Sequence, residues 1–593
     1  MSIEVEKATQ RLKEALETTA FIPAEKEKIV RRGGRENSSG WLFDIRRIIL
    51  QPQVLEDISA LFWEKFADKR SVQVGGIEVA AIPLITTLVV SGAKNHPYVS
   101  GFFIRKSRKK DGLTRMIEGE IRNNADIILV DDIINSAKSM MRQVEVLEGL
   151  GHRVTAIWTL LRFRDPEYYT YFKEKGISIH SAFELNDFTQ TLGTENLVTR
   201  TTPAQHDPFS ILWKFQADNP SYQYVISKSE PIIDDERIYF GSDSGTFWAL
   251  NQKDGSVAWT RGTGRHPKGK GIFSSPALHG GVVYFGGYDG NFYALDALSG
   301  DTKWVFFEAD WIGSSPALAQ DLGLVFVGLE FGLWRKRGGI AAIDIKSGKK
   351  VWSFSEMPCY THSSPLYIKE HHQIVVGSND GCAYLFDAKT GALVWKACTG
   401  TLTDAERNSG FSRFDIKESF AYDATRDLIV FGNGEGNLYF LDRRSGKARS
   451  TYSAEFAFYA TPLIHNGNVY ASSLDKYLYC IDLDTFTEKW RWYSGARIFA
   501  SPAYIESSIY IGSNSGHLTE LDPETGEERS FMTFSERITN RPVFNPRSKR
   551  FFVPTYANEI YCLAKQEVPE SQPHVSSKAE IASNQDNARE SRA

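Results

Sequence analysis

The sequence predicts a multidomain chain, an α/β domain followed by an all-β eight-bladed propeller. Two observations predict it. From about residue 210 to residue 563 one motif of alternating strands and tight turns recurs, at the period of roughly 40–50 residues that marks propeller blades. Before it, short apolar runs are separated by helical stretches, the pattern of a parallel sheet with helices on its faces. The expected divisions are 1–195 for the α/β domain, 196–209 for a linker, 210–563 for the propeller and 564–593 for a tail.

Residues 1–20 read as an amphipathic helix, with Leu12, Leu16 and Ala20 at helical spacing. The apolar runs 72–74, 102–104, 127–130 and 156–161 read as strands, and 136–150 reads as a helix. TRTTPAQHDPFS is polar and contains prolines, as linkers do. The last thirty residues are polar, Ser-rich and almost free of aromatics, so they are expected to be disordered.

One copy of the repeat, residues 274–306, reads SSPALHGGVVYFGGYDGNFYALDALSGDTKWVF. It contains a Ser-Pro start, an alternating strand, a Gly turn, a second strand ending in Leu-Asp, a second Gly turn and a third strand carrying Trp. Alternation turns one face of each strand toward the next blade. Other copies end at Trp259, Trp352, Trp395 and Trp490, with Tyr452 standing where another Trp is expected and a further copy lacking it. The last copy, FFVPTYANEIYCLA, has no third strand. Residues 211–215, ILWKF, supply one from the start of the array, which closes the ring at eight blades and removes an edge.

The chain has 593 residues and a formal net charge of -4, which argues against a whole-molecule nucleic-acid binder. The first residues are charged and hold no apolar signal core. No uncharged apolar window reaches membrane-spanning length. A cytoplasmic protein with no membrane partner is expected. Cys359, Cys382, Cys398, Cys480 and Cys562 form no CxxC or metal-like cluster, so free thiols are the simple expectation.

The repeats resemble the PQQ-type (quinoprotein alcohol dehydrogenase-like) propeller repeat. Quinoproteins of that kind use a pair of adjacent cysteines beside the cofactor. This chain has none, so PQQ is not expected, and the propeller reads as a platform for a peptide or protein partner.

Three patches of the N-terminal domain resemble orotate phosphoribosyltransferase, a type I phosphoribosyltransferase. VGGIEVAAIPL (74–84) is similar to the family's pyrophosphate loop. FIRKSRKKDG (103–112) followed by IEG (117–119) is similar to its mobile catalytic loop. ADIILVDDIINSAKSM (125–140) is similar to its ribose-phosphate motif. GWLFDIRRIIL (40–50) is a weaker match to its hood. The resemblance implies phosphoribosyl pyrophosphate (PRPP) as substrate, Mg²⁺ with it, and a homodimer through this domain. Asp131 and Asp132 would accept the ribose hydroxyls, and Asn135, Ser136, Ala137, Lys138 and Ser139 would hold the 5′-phosphate. Glu78, Val79, Ala80, Ala81, Arg105 and Lys106 would bind pyrophosphate. Lys109 would be catalytic together with the two aspartates, and Arg162 would meet the acceptor. No side chain is singled out as a metal ligand.

The loop departs from the family pattern. Ala137 stands at a glycine position, Lys138 adds an ammonium, Asn135 replaces a threonine and Asp111 replaces a histidine. Two readings follow. One is a phosphoribosyltransferase acting on an acceptor other than free orotate, with the propeller recruiting the acceptor or a partner. The other is a catalytically degenerate PRPP or nucleotide sensor, or a scaffold, signalling through the propeller.

Overall fold

The structure is a computed structural model. It describes residues 3–23, 41–96, 98–106, 116–123, 125–188, 191, 205–206, 208–217, 220–222, 229–264, 270–333 and 335–566. The expected disordered tail lies outside the described residues from residue 567 onward, as do residues 196–204 of the expected linker.

The N-terminal helix α1 (Ile3–Ala15) lays Leu12 into the domain core, and Arg11 pairs with the buried Asp57 of α2 (Pro52–Lys65). Two short strands, β1 (Phe21–Pro23) and β2 (Trp41–Phe43), pair antiparallel. The main sheet has six strands: β3 (Val72–Ile77), β4 (Ser100–Ile104), β5 (Ile117–Glu118), β6 (Asp126–Ile134), β7 (Val154–Arg162) and β8 (Ser178–Glu184). They are ordered β5-β4-β3-β6-β7-β8, all parallel except β5. Helix α3 (Ala81–Gly92) follows β3, and α4 (Lys138–Glu148) follows β6. The glycine pair opening the first motif is steric. A Cβ on Gly75 would sit 2.3 Å from the Phe102 ring, and one on Gly76 2.6 Å from the Val130 carbonyl.

The propeller has eight blades. The eighth is closed by strand β10 (Phe209–Gln216), which pairs antiparallel with Glu559–Lys565 and bears out the expected donation. Its Trp213 behaves like the other blade tryptophans. Trp213, Trp259, Trp304, Trp352, Trp395 and Trp490 each donate an indole N–H, at 2.7–3.1 Å, to a backbone carbonyl of the following blade. Each ring also lies over a turn glycine of that blade. These glycines, from Gly255 to Gly526, have φ between +67° and +77°, and an added Cβ would come within 2.5–2.8 Å of the indole. Only glycine meets both demands at low cost.

The register corrects one sequence expectation. The residue opposite Phe440, at the Trp position of the fifth blade, is Ser450; Tyr452 lies two residues farther on. The turn that should face a tryptophan there carries Phe486 at φ +57° in place of glycine. Its ring lies 5.1 Å from that of Phe440. A large–small pair has exchanged places. The seventh blade has Ser530 at the same position. The eighth blade has no turn for a tryptophan to cover, because its outer strand comes from the other end of the array. The outer strand of the seventh blade, Glu528–Thr533, is instead met by β9 (Gln205–His206), which pairs parallel to it, and by the N-terminal domain.

The cysteine expectation is also corrected. Cys382 and Cys398 face each other on adjacent strands of the fourth blade and form a disulfide. Cys359, Cys480 and Cys562 are free and buried. Strand register, which cysteine spacing does not reveal, makes the pair neighbours.

Candidate functional site

β6 runs on through Asp131 and Asp132 to Ile134, while its neighbour β3 pairs with it only as far as Leu129. Both carboxylates therefore stand at the carboxyl edge of the sheet, where open α/β folds bind ligands. Asp131 is buried; its Oδ1 accepts from the Asp132 backbone N–H at 3.0 Å. Burial, and then the adjacent Asp132 charge, raise Asp131 to about 8. Asp132 is half-buried and its Oδ1 accepts from the Ile133 N–H at 2.8 Å.

The loop 135–139 carries the chain from β6 into α4. Asn135, Ser136 and Ser139 are exposed. Asn135 Oδ1 accepts from Arg164 Nε at 3.0 Å, and its carbonyl accepts from the Tyr169 hydroxyl at 3.0 Å. Ala137 is buried at φ +59°, in the left-handed region. Its carbonyl accepts the Met140 and Met141 N–H groups and so starts the helix.

Lys138 turns away from the loop. Its Nζ donates to both carboxylate oxygens of Glu528, at 2.8 and 2.7 Å, and lies 4.5 Å from the centre of the Phe531 ring. Glu528 also accepts from Trp492 Nε1 at 2.8 Å. One turn along α4, Arg142 donates to the Asn514 carbonyl at 3.0 Å. Phe531 is part of the hydrophobic core beneath α4. The helix behind the loop is thus bound to the seventh blade. Glu528, Trp492, Phe531 and Asn514 were not singled out from sequence; the one hint was an ammonium in a loop that resembles a ribose-phosphate motif.

Across the sheet edge, Glu78 Oε1 accepts the Lys106 N–H at 2.9 Å. Arg105 lies 3.5 Å from Glu118 and 3.9 Å from Glu78. Val79 is exposed and Ala80 leads into α3, which begins at the buried Ala81. Lys109, with Arg108, Lys110 and Asp111, lies outside the described residues. Arg162, at the end of β7, is buried and ion-paired with Glu184. The structure thus brings Asp131, Asp132, the 135–139 loop and the Glu78–Arg105–Lys106 group to one edge. It takes the Lys138 side chain out of that set.

The propeller axis holds a cavity of about 1150 Å³, lined among others by Lys270, Tyr288, His362, Lys417, Tyr459 and Arg541. Several of its polar side chains are internally paired. Arg541 lies against Glu230, Lys417 against Asp415 at 3.0 Å, and His362 against the buried Glu330 at 3.0 Å. Among the described residues no group of three or more His, Cys, Asp or Glu side chains could hold a metal ion, and no helix is long and apolar enough to cross a membrane.

These features agree with known proteins. The chain is 26% identical over 186 residues to orotate phosphoribosyltransferase of Rhodopseudomonas palustris, a match spanning 30% of this chain and 96% of the relative. It is 30% identical over 131 residues to that of Pyrococcus furiosus, spanning 22% and 68%. A europium-containing methanol dehydrogenase shares the propeller fold with a TM-score of 0.50 at 13% identity, covering 60% of this chain and 93% of the other. The family model described as outer membrane protein assembly factor BamB matches residues 204–354, 323–530 and 379–588. The chain therefore joins a domain of the orotate phosphoribosyltransferase family to a propeller belonging to the family whose model is described as outer membrane protein assembly factor BamB.

Proposed function

We propose that the N-terminal domain binds PRPP with Mg²⁺ and transfers its phosphoribosyl group to an acceptor other than free orotate, which the propeller recruits directly or through a partner protein. The observation that carries this reading is the meeting of Asp131, Asp132, the exposed 135–139 loop and Arg105–Lys106 at one sheet edge. The two acids would hold the ribose hydroxyls and the loop amides the 5′-phosphate. Arg105, Lys106 and Lys109 would stabilise the pyrophosphate as its bond to the ribose anomeric carbon breaks and the acceptor takes its place. An acceptor other than orotate is favoured because the Arg162 guanidinium already faces the Glu184 carboxylate.

Mg²⁺ prefers hard oxygen ligands and keeps phosphate and water in its shell. The half-buried Asp132 and the buried Asp131 fit an ion that arrives on the diphosphate rather than one held by the protein alone. When bound, such an ion supplies charge neutralisation on the pyrophosphate.

A second reading rests on the Lys138–Glu528 pair. A loop whose helix is bound to the seventh blade can report its occupancy to the propeller without turnover. Titration calorimetry of the full chain with PRPP and Mg²⁺, followed by a pyrophosphate-release screen, separates the two. An enzyme binds PRPP, loses affinity on Asp131→Asn, and on Lys109→Ala keeps most affinity while losing turnover. Tight binding with no pyrophosphate released for any acceptor leaves the sensor, and no PRPP binding removes both. A homodimer through the N-terminal domain belongs to the enzyme reading and is tested by light scattering. A cytoplasmic location belongs to it too. A Cys382–Cys398 bond found fully oxidised in cells would count against that location.

A further inference from the structure

Two insertions break the regularity of the ring. The second strand of the third blade, Leu324–Phe331, has 8 residues, whereas the second strand of every other blade has 5. It and its partner, Arg337–Asp344, push their hairpin beyond the rim. The connection from the fourth to the fifth blade, residues 399–420, is the longest between blades and carries the short helix Asp404–Ser409. In a four-stranded blade the second hairpin and the link to the next blade leave from the same face. Insertions on one face of a repeat array commonly build its binding face. Here they converge on a cavity of about 440 Å³ lined by Arg335, Lys336, Arg337 and Arg407, with Glu356 as the lone carboxylate.

Arg335, Lys336 and Arg407 are exposed and form no ion pair among the described residues. Arg337 lies over the Phe331 ring at 4.5 Å, which holds its guanidinium in place. The nearby Glu406 accepts from the Thr403 and Arg413 backbone N–H groups and does not line the cavity. Four cations against one carboxylate leave a net excess of three positive charges. Three of the four are guanidinium groups, whose planar forks match phosphate oxygens in pairs. The volume falls in the range of small-ligand pockets, about 300–1,000 Å³.

We infer that this cavity binds a small molecule carrying a chain of two or three phosphates. The site belongs to the propeller, across the ring from the seventh blade, and does not depend on the PRPP reading. Its ligand is a nucleoside polyphosphate or inorganic oligophosphate.

The test uses the full chain and two probes, inorganic tripolyphosphate and ATP, titrated without magnesium at low and at physiological salt. Both bind, and more weakly at high salt because the cations are exposed. Equal affinities identify the phosphate chain as the whole determinant; tighter ATP adds a nucleoside contact. Arg335→Ala and Arg407→Ala each weaken binding by roughly tenfold or more, as loss of a charge-assisted contact requires. Glu356→Gln tightens it. Asp131→Asn, at the other site, leaves it unchanged. All three cavity residues are exposed, and a melting curve for each variant confirms the fold. The inference is overturned if neither probe binds, if the arginine variants bind as wild type does, if Asp131→Asn abolishes binding, or if only an RNA oligonucleotide binds.

Discussion

Burial takes the Asp131 carboxyl from its ordinary 3.8 to about 8, and the charge of Asp132 pushes it the same way. The fold thus favours its protonated form. Its contribution to stability is complete below about pH 4, declines as the unfolded chain alone ionises, and is gone above about pH 8. Thermal unfolding of the N-terminal domain should show this decline, at most about 1.4 kcal/mol per pH unit for one proton. Asp131→Asn should flatten it; an unchanged slope would assign the decline to other groups. Ala137 poses a different problem. A left-handed alanine costs roughly 1–2 kcal/mol, partly offset here by the burial of its methyl group. Ala137→Gly is expected to stabilise the domain by about 0.5–1 kcal/mol, read as a higher Tm. Both residues were legible from the motif they sit in. The direction of the Lys138 side chain was not, because its partner Glu528 is 390 positions away.

The blade is the element most fully written in the sequence. Its period, its turn glycines and its tryptophans act together, since each indole covers the left-handed glycine of the next blade. Ser450 stands four residues after the turn glycine Gly446, as Trp395 stands four after Gly391, and a bulge at the same place recurs in the other blades; Tyr452, the nearest aromatic, obscured it. The Ser450–Phe486 pair makes the rule testable by exchange. Ser450→Trp alone would drive an indole toward Phe486 and cost about 1–3 kcal/mol by overpacking. Phe486→Gly alone would relieve its positive φ but open a void, with a net loss. Together they would rebuild the arrangement of the other blades, so a double-mutant cycle should give a favourable coupling of about 1–3 kcal/mol. Simple additivity would mean that the two residues do not share the inter-blade contact.

At the scale of the whole molecule, ring closure was legible and domain docking was not. The last repeat lacked a strand and the chain offered one at residues 211–215, whereas nothing local marks the seventh blade as the docking site. The reason emerges only from the closed ring. The eighth blade has no turn for a tryptophan to cover, so the seventh keeps Ser530 and its outer strand is met by β9 and α4. Closure itself can be tested by comparing two fragments. One starting at residue 205 keeps β10; one starting at residue 220 loses it. Without β10, the strand Glu559–Lys565 becomes an edge with unpaired backbone groups. Phe209 leaves the core it shares with Phe551 and Leu563. Glu559, with a side chain only 6% exposed, loses Lys214, its ion-pair partner at 2.7 Å, and a buried charge stripped of its partner is strongly destabilising. Trp213 no longer covers Gly255. Several kcal/mol are lost at one seam, so the shorter fragment should melt about 10 °C or more below the longer one or associate through the open edge. Both lack the N-terminal domain, which keeps exposure of Phe531 common to the two. Scanning fluorimetry with light scattering reads both outcomes, and equal melting of two monomeric fragments would refute closure by β10.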